Sequence, residues 1–313
     1  MNTRVLGRTG LRVTELCFGT SPLANFRFLY GYEVDDDRAV ATVRAALDSP
    51  VRFLDTSNGY GEHGESELRI GAALRKAGGL PADYVLATKV DPRFGSTDFG
   101  GARVRESYRE SLERLGLDRV PLLHLHDPER IGYEASVAPG GPVEALQELK
   151  DSGLVDFIGV AGGSLSVLRP LVETGVFDVV LTHNRYTLLD RSAEELIAAA
   201  HDLGIGVLNA APYGGGMLAK GPAASGRYAY REAGDAQAAA LLMQQACERH
   251  GVPLAAAALQ FSLRDPRIAS TVVGVSTPER IEQTIALAAH PIPEELWAEL
   301  AELTPPRSAW IDV

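Results

Sequence analysis

The stretch that decides the fold is RFLDTSNGYGEHGESELRIGAALRKAGGLPADYVLATKV, residues 52–90. A short apolar run, 52–55, is followed by an amphipathic stretch, 65–76, and by a second apolar run, 84–90. Short apolar runs between polar loops are typical of buried strands, whereas apolar residues recurring about every third or fourth position are typical of helices. The stretch therefore predicts a strand, a helix and a second strand parallel to the first.

The same alternation continues over almost the whole chain. It predicts eight strands, at residues 16–19, 52–55, 84–90, 120–126, 155–160, 179–182, 206–210 and 270–274. It predicts a helix after each strand, at residues 37–48, 65–76, 103–115, 143–152, 165–173, 192–203, 235–250 and 278–288. Eight pairs without a linker favour an α/β fold of the closed (β/α)8 TIM barrel type, with an open doubly wound sheet as the alternative.

Further segments complete the predicted architecture. Residues 4–13 are typical of a short N-terminal hairpin, and the stretches 254–263 and 293–303 are two extra helices. No compositional break marks a boundary, so residues 1–313 are predicted to form a single domain. Long loops that follow strands are expected at the carboxyl-terminal face of a barrel, where active sites lie. There are three of them, at residues 20–34, 127–142 and 211–234.

Composition excludes several classes of protein. The chain has 45% hydrophobic and 23% charged residues, which suits a packed core and not a disordered segment. Its 30 Lys and Arg against 41 Asp and Glu give a net charge of −11, which disfavours nucleic acid and anionic membranes as partners. Cys17 and Cys247 are interpreted as buried thiols of a reducing compartment. Since we find neither a leader nor a spanning apolar run, we expect a cytoplasmic protein, monomeric or weakly homo-oligomeric.

Four ionisable residues lie where three consecutive predicted strands end. Asp55 ends one strand and Tyr60 follows it in the loop, Lys89 lies near the end of the next strand, and His126 ends the third. Because the strands of a barrel are parallel, their carboxyl ends meet at one face. We therefore expect these four side chains to converge on one bound substrate.

Such a set suits proton transfer to an oxygen whose carbon gains or loses a hydride. A free Tyr titrates near ~10, and an adjacent ammonium favours its ionised form. Lys89 is therefore expected to lower the pKa of Tyr60, the general acid and base, while Asp55 orients Lys89. A neutral imidazole at His126 is expected to donate to the substrate oxygen.

These residues, in their order and spacing, resemble the aldo-keto reductases, which are NAD(P)-dependent barrel oxidoreductases with an Asp, Tyr, Lys and His tetrad. The resemblance covers nearly the whole chain. Its segments are residues 6–10, 18–20, 55–67, 88–90, 111–118 and 126–128. It implies that Asp55, Tyr60, Lys89 and His126 catalyse hydride transfer between nicotinamide and an aldehyde or alcohol.

The resemblance also implies that NADP or NAD is the cofactor, with its phosphates at the last strand and helix. Thr277 before Pro278 is typical of a helix start, whose free N–H groups attract phosphate. Arg280 would face the adenosine phosphate. The implied cofactor contacts are Gly19, Thr20, Asp55, Ala161, His183, Ala211, Pro212, Tyr213, Gly274, Val275, Ser276, Thr277, Arg280, Gln283 and Thr284.

Several positions depart from the pattern common in the family. Ala161 and the two glycines after it stand where many members have Ser-Asn, His183 begins a segment where Gln is frequent, and Ala210 replaces an aromatic residue. These departures resemble the branch that contains L-fucose and D-threo-aldose 1-dehydrogenases and pyridoxal 4-dehydrogenase. That branch implies oxidation of an aldose at C1 to a lactone. Oxidation of pyridoxal and general aldehyde reduction are the alternatives.

Substrate contacts and other function classes complete the expectations. The expected substrate contacts are Tyr60, His126, Phe26, Tyr30 and Trp310, with Tyr228 and Tyr230 as further candidates for the pocket wall. His124 and His126 form a His-x-His motif, which also occurs in metal-dependent barrel hydrolases. Because no third ligand stands at an expected position, we expect no metal site. A non-catalytic subunit that senses the cofactor is the remaining alternative.

Overall fold

A computed structural model describes residues 1–312 of the chain. Its strands are β1 (Thr3–Val5), β2 (Arg12–Thr14), β3 (Leu16–Gly19), β4 (Phe53–Asp55), β5 (Val85–Val90), β6 (Val120–His126), β7 (Val155–Gly162), β8 (Val179–His183), β9 (Gly206–Ala210), β10 (Arg227–Tyr228), β11 (Arg231–Glu232) and β12 (Ile268–Gly274). Its α-helices are α1 (Arg27–Tyr30), α2 (Asp36–Asp48), α3 (Glu65–Ala77), α4 (Gly101–Leu115), α5 (Gly132–Val137), α6 (Pro142–Asp151), α7 (Leu165–Glu173), α8 (Glu194–Asp202), α9 (Met217–Lys220), α10 (Asp235–Arg249), α11 (Leu254–Leu263), α12 (Pro278–Ala288) and α13 (Glu294–Glu302).

Eight parallel strands close into a barrel in the order β12-β3-β4-β5-β6-β7-β8-β9. They are the eight predicted strands, so the (β/α)8 barrel is confirmed. Their short apolar runs bury both faces, because one face lies inside the barrel and the other lies under the helices. All eight strands point the same way, so their carboxyl ends form one rim.

The N-terminal hairpin closes the opposite end of the barrel. β1 and β2 pair antiparallel, with Thr3 opposite Thr14. Leu6, in the turn, is fully buried in the apolar cluster inside the barrel. A Cβ on Gly7 would lie 2.2 Å from the backbone N of Gly206, so this close approach to β9 requires a glycine. The predicted hairpin is confirmed, and it excludes solvent from the barrel floor.

Besides the short helices α1, α5 and α9, the structure has two helices more than the eight of the barrel, and one of the two differs from the expectation. α11 packs against β12 and α12, in the place of a barrel helix, whereas α10 packs against α13 in a second apolar cluster. The α11 sequence, LAAAALQFSL, is apolar on nearly all sides, so it suits a helix covered by neighbours. The extra pair is therefore α10 and α13. None of the helices in residues 1–312 is both long and apolar enough to cross a membrane.

Candidate active site

The four predicted residues converge at the carboxyl-terminal rim of the barrel. Asp55 is the last residue of β4, Lys89 lies one residue before the end of β5, and His126 ends β6. Tyr60 lies in the loop after β4, with its ring edge-on to the His126 ring at 5.6 Å between centroids. The structure thus brings together all four residues named from the sequence.

Lys89 fixes the position of the phenol. Its side chain is 1% exposed, and its Nζ donates to Asp55 Oδ1 at 2.6 Å, to the Thr56 carbonyl at 2.7 Å and to the Tyr60 hydroxyl at 3.1 Å. An ammonium has three protons, so all of its donors are used. Because Nζ donates to the phenol oxygen, the phenol hydrogen points away from Lys89. The Tyr60 hydroxyl has no other hydrogen bond within residues 1–312, so its O–H is free to donate into the rim.

The pKa of Tyr60 moves in the opposite direction to the expectation. Burial of the ring raises the pKa of Tyr60 well above its usual value of 10.0, and the negative charges of Asp55, Asp127 and Asp91 raise it further. The expectation of a lowered pKa was therefore wrong in its net direction, because burial and the three carboxylates raise the pKa of Tyr60. The phenol carries its proton at neutral pH.

His126 is held by two residues that the sequence analysis did not name. Its Nδ1 lies 2.8 Å from Asp91 Oδ1 and 3.0 Å from Ser57 Oγ. Ser57 donates its hydroxyl hydrogen to Asp91 Oδ2, and the Gly59 backbone N–H donates to the same oxygen at 2.8 Å. A Cβ on Gly59 would lie 2.6 Å from Asp91 Cγ, so the loop closes tightly over this carboxylate.

These contacts set the charges of the pair. Burial alone would raise the pKa of Asp91, but His126, Ser57 and Arg130 lower it to about 2. Burial alone would lower the pKa of His126, but the nearby Asp127 and Asp91 carboxylates raise it above its usual value. The surrounding carboxylates therefore favour the charged form of the imidazole, a direction opposite to the expected neutral ring.

Asp91 could have been found from the sequence. It lies two residues after Lys89, and alternate residues of a strand point to the same side. The continuation of β5 therefore places Asp91 on the inner side beside Lys89. Ser57 gave no such signal, because its position depends on the irregular loop after β4.

A cavity of about 990 Å³ opens from the tetrad across the rim. The predicted residues that line it are Gly19, Asp55, Tyr60, Lys89, His126, Ala161, His183, Ala211, Tyr213, Gly274, Ser276, Arg280, Thr284, Phe26, Tyr30 and Tyr230. Further lining residues that sequence reasoning did not place there include Phe28, Tyr32, Phe94, Asn184 and Lys220. The cavity thus joins the tetrad to the start of α12.

Other predicted residues lie outside the lining. They are Thr20, Pro212, Val275, Thr277, Gln283 and Trp310, together with the candidate Tyr228. Thr20 Oγ1 donates to the Asp55 carbonyl at 3.0 Å, and Val275 is buried. Trp310 and Tyr228 are corrected as wall residues. The Trp310 indole N–H donates to the Pro305 carbonyl at 3.1 Å within the tail, and the Tyr228 hydroxyl donates to the Asn184 carbonyl at 3.0 Å beneath the loop.

The cavity fits a dinucleotide. One end lies beside the tetrad, where Asp55 Oδ2 is buried with no partner among residues 1–312. Asn184 Oδ1 is a second buried acceptor without a partner in the same part of the chain, and Asn184 lines the cavity. At the other end α12 begins at Pro278, and no side chain of residues 1–312 caps its N–H groups. Free N–H groups at a helix start bind phosphate.

His124 lies one layer below the rim, inside the barrel. It is fully buried, neither ring nitrogen has a partner within residues 1–312, and burial lowers its pKa well below the usual value. A Cβ on Gly159 would lie 2.2 Å from its Nδ1, so the ring fills the space beside that glycine. Residues 1–312 contain no group of three or more His, Cys, Asp or Glu side chains placed to hold a metal ion.

Comparison with known proteins agrees with this geometry. The model of the aldo/keto reductase family matches residues 15–305. The chain belongs to the aldo/keto reductase family. Members of this family are oxidoreductases that use a nicotinamide dinucleotide, and the cavity suits that cofactor.

Two named dehydrogenases share about a third of the sequence. The chain is 36% identical to D-threo-aldose 1-dehydrogenase of Pseudomonas sp., over 94% of each chain. It is 36% identical to L-galactose dehydrogenase of Arabidopsis thaliana, over 90% of this chain and 86% of the relative.

A third relative acts on a different kind of molecule, and a solved structure shares the fold. The chain is 31% identical to pyridoxal 4-dehydrogenase of Microbacterium luteolum, over 95% of this chain and 96% of the relative. An aldo-keto reductase of Bacillus halodurans, solved in its holo form, superposes with a TM-score of 0.79 at 24% identity and covers 97% of both chains.

Proposed function

We propose that this chain is an NAD(P)-dependent dehydrogenase that oxidises an aldose at C1 to a lactone. The observation that carries the proposal is the Tyr60 hydroxyl held 3.1 Å from Lys89 Nζ at the mouth of the cavity. The identity to D-threo-aldose 1-dehydrogenase and L-galactose dehydrogenase supports an aldose as the substrate. The predicted single domain, the cytoplasmic location and the monomeric or weakly oligomeric state belong to the same proposal.

Tyr60, supported by Lys89 and Asp55, transfers the proton of the reaction. A bound nicotinamide ring supplies the hydride acceptor or donor. In reduction, Tyr60 donates its free hydroxyl hydrogen to the carbonyl oxygen, and in oxidation it takes the proton of the C1 hydroxyl. Lys89 stabilises the phenolate that results from donation, and Asp55 holds Lys89 in place through a hydrogen bond of 2.6 Å.

We assign the residues that bind the cofactor from the lining of the cavity. Ala161, Gly162 and Ala210 are small residues that line the rim at β7 and β9, and they leave room for the nicotinamide ring. Gly274 and the start of α12 receive the phosphates, and Arg280 faces the adenosine phosphate. Asp55 Oδ2 and Asn184 Oδ1 offer acceptors to hydroxyl or amide groups of the cofactor.

A second candidate substrate is pyridoxal or another aromatic aldehyde. Aromatic side chains crowd the outer cavity, and two of them, Phe28 and Phe94, are 76% and 61% exposed. Exposed aromatic rings at a mouth pack equally well on a planar ring and on the apolar face of a sugar. Identity to pyridoxal 4-dehydrogenase is consistent with the first of these substrates.

The test is a panel of aldoses, pyridoxal and simple aldehydes, assayed with NAD and NADP by the absorbance of reduced nicotinamide. We expect the largest kcat/KM for an aldose hemiacetal. Because the pKa of Tyr60 is raised, its base form increases only as the pH rises. Oxidation is therefore expected to accelerate with rising pH while reduction slows. An aldose rate below the aldehyde and pyridoxal rates would contradict the proposed substrate.

A further inference from the structure

The cluster of Asp91, Ser57 and His126 determines which protons His126 can offer. Asp91 is an ionised carboxylate and accepts hydrogen bonds only. The Ser57 hydroxyl hydrogen is already given to Asp91. The His126 Nδ1, 2.8 Å from Asp91 Oδ1 and 3.0 Å from Ser57 Oγ, faces two acceptors and must carry a proton.

This arrangement leaves only one way for His126 to donate to a substrate. A neutral imidazole carries a single N–H, and here that N–H is fixed at Nδ1. Its Nε2 would then be an acceptor, and it would oppose the lone pairs of a substrate oxygen. His126 can donate from Nε2 only when both nitrogens are protonated.

We propose that Asp91 is a positioning residue that holds His126 as a doubly protonated imidazolium, so that the site presents a charged Nε2–H donor beside the Tyr60 hydroxyl. The bond of Asp91 to Nδ1 orients the ring and stabilises its positive charge. The substrate oxygen then meets two donors, one from the phenol and one from the imidazolium. This inference rests on the proposed function for its kinetic consequence, but the protonation of His126 is independent of any substrate.

Charged and titratable groups face His126 from every neighbouring element. Asp127 Oδ1 lies 3.6 Å from Nε2, and Arg130 lies 3.8 Å from Asp91 and 3.0 Å from Asp127. The groups around the imidazole are Lys89 from β5, Asp91 directly after β5, Tyr60 from the loop after β4, His124 from β6, Asp127 and Arg130 after β6, and His183 from β8.

The two other histidines do not compete for the charge. Burial lowers the pKa of His183 to about 4, and burial also lowers the pKa of His124. Both are therefore neutral at neutral pH. Lys89 disfavours a second cation nearby, but its charge is directly paired with Asp55 at 2.6 Å. Asp91 at Nδ1 and Asp127 near Nε2 are the carboxylates left to stabilise His126.

The direct test is a titration of the intact protein labelled with 15N-histidine and followed by NMR. The His126→Gln variant identifies the His126 signals. We expect Nδ1 and Nε2 of His126 both to be protonated at neutral pH, and Nδ1 to keep its proton after Nε2 has lost one at higher pH. A neutral His126 at neutral pH, or a neutral form protonated at Nε2, would overturn the proposal without any variant of Asp91 and whether or not the enzyme oxidises an aldose.

The Asp91→Asn variant tests the role of the carboxylate. Removing the negative charge is expected to shift the titration of His126 to lower pH and to reduce kcat/KM for reduction at neutral pH by about tenfold to a hundredfold, since a hydrogen bond to a charged group is lost. The alkaline limb of the reduction profile should move to lower pH with it. Asp156→Asn, an exposed site that pairs with Arg119, changes net charge equally and controls for it. An unchanged His126 titration in Asp91→Asn would contradict the proposal.

Discussion

The two sides of the barrel mouth are built from opposite kinds of residue. The rim of β4, β5 and β6 carries Asp55, Lys89 and His126. Lys89 donates to Asp55 and to the Tyr60 hydroxyl, and His126 is hydrogen-bonded to Asp91. The rim of β7 and β9 carries Ala161 and Ala210, which line the same cavity with single methyl groups. One side is therefore rigid and charged, and the other side provides space. The contrast separates proton chemistry from cofactor binding, and substitutions on the two sides should have different effects.

The largest effect is expected from Lys89→Met on the charged side. Removing the ammonium leaves Asp55 as an unpaired buried carboxylate, which costs about 3–5 kcal/mol of unfolding free energy. Loss of the group that stabilises the phenolate should also reduce turnover by roughly 10²–10⁴-fold. Chemical denaturation and steady-state kinetics measure the two effects.

The double variant Asp55→Leu/Lys89→Met separates the loss of stability from the loss of turnover. Replacing both charges with apolar groups should restore most of the stability without restoring turnover. Arg109→Met is the matched control, because Arg109 pairs with Glu113 at 2.7 Å on the exposed face of α4, and such pairs contribute about 0–1 kcal/mol. Equal destabilisation by Lys89→Met and Arg109→Met would contradict the account.

At the rim of β7, Ala161→Leu is expected to weaken dinucleotide binding. The added carbons would occupy the space assigned to nicotinamide, and overpacking of this kind costs about 1–3 kcal/mol. Binding is followed by the fluorescence of reduced nicotinamide. Ala161→Ser adds a single atom and should bind nearly as the native chain does. If Ala161→Leu binds the dinucleotide with unchanged affinity, the nicotinamide ring does not lie beside Ala161.

The smallest effect is expected at Arg280, which is exposed at the start of α12. Arg280→Gln should weaken NADP binding by about tenfold, since the contact with a phosphate is charge-assisted, and should leave NAD binding nearly unchanged. Equilibrium titration with both cofactors gives the ratio. Equal losses for NADP and NAD would place Arg280 on a phosphate that both share.

Sequence patterns were most informative where geometry repeats. The eight strands follow from apolar runs of regular spacing, and the tetrad follows because parallel strands end at one rim. The pKa of Tyr60 could not be obtained in this way, because it depends on burial and on three carboxylates, of which Asp127 and Asp91 come from other strand ends. The charge of His126 likewise depends on a distance between β5 and β6.

Elements outside the repeat were also less predictable. The extra helix was assigned to 254–263, but α10 takes that role because α11 is apolar enough to be covered by β12 and α12. Trp310 was predicted to contact the substrate only because it is an aromatic residue near the end of the chain. The position of Trp310 depends on the tail, in which Asp312 pairs with Arg185 at 2.6 Å. No local sequence pattern predicts this contact.

In our proposal one phenol, fixed by Lys89, transfers the proton, while the rim of β7 and β9 and the start of α12 hold the cofactor. Tyr60→Phe tests it most directly, with turnover and dinucleotide affinity measured on the same preparation. The account predicts that turnover falls by roughly 10²–10⁴-fold while the Kd of the dinucleotide is nearly unchanged. Turnover equal to that of the native chain would contradict it.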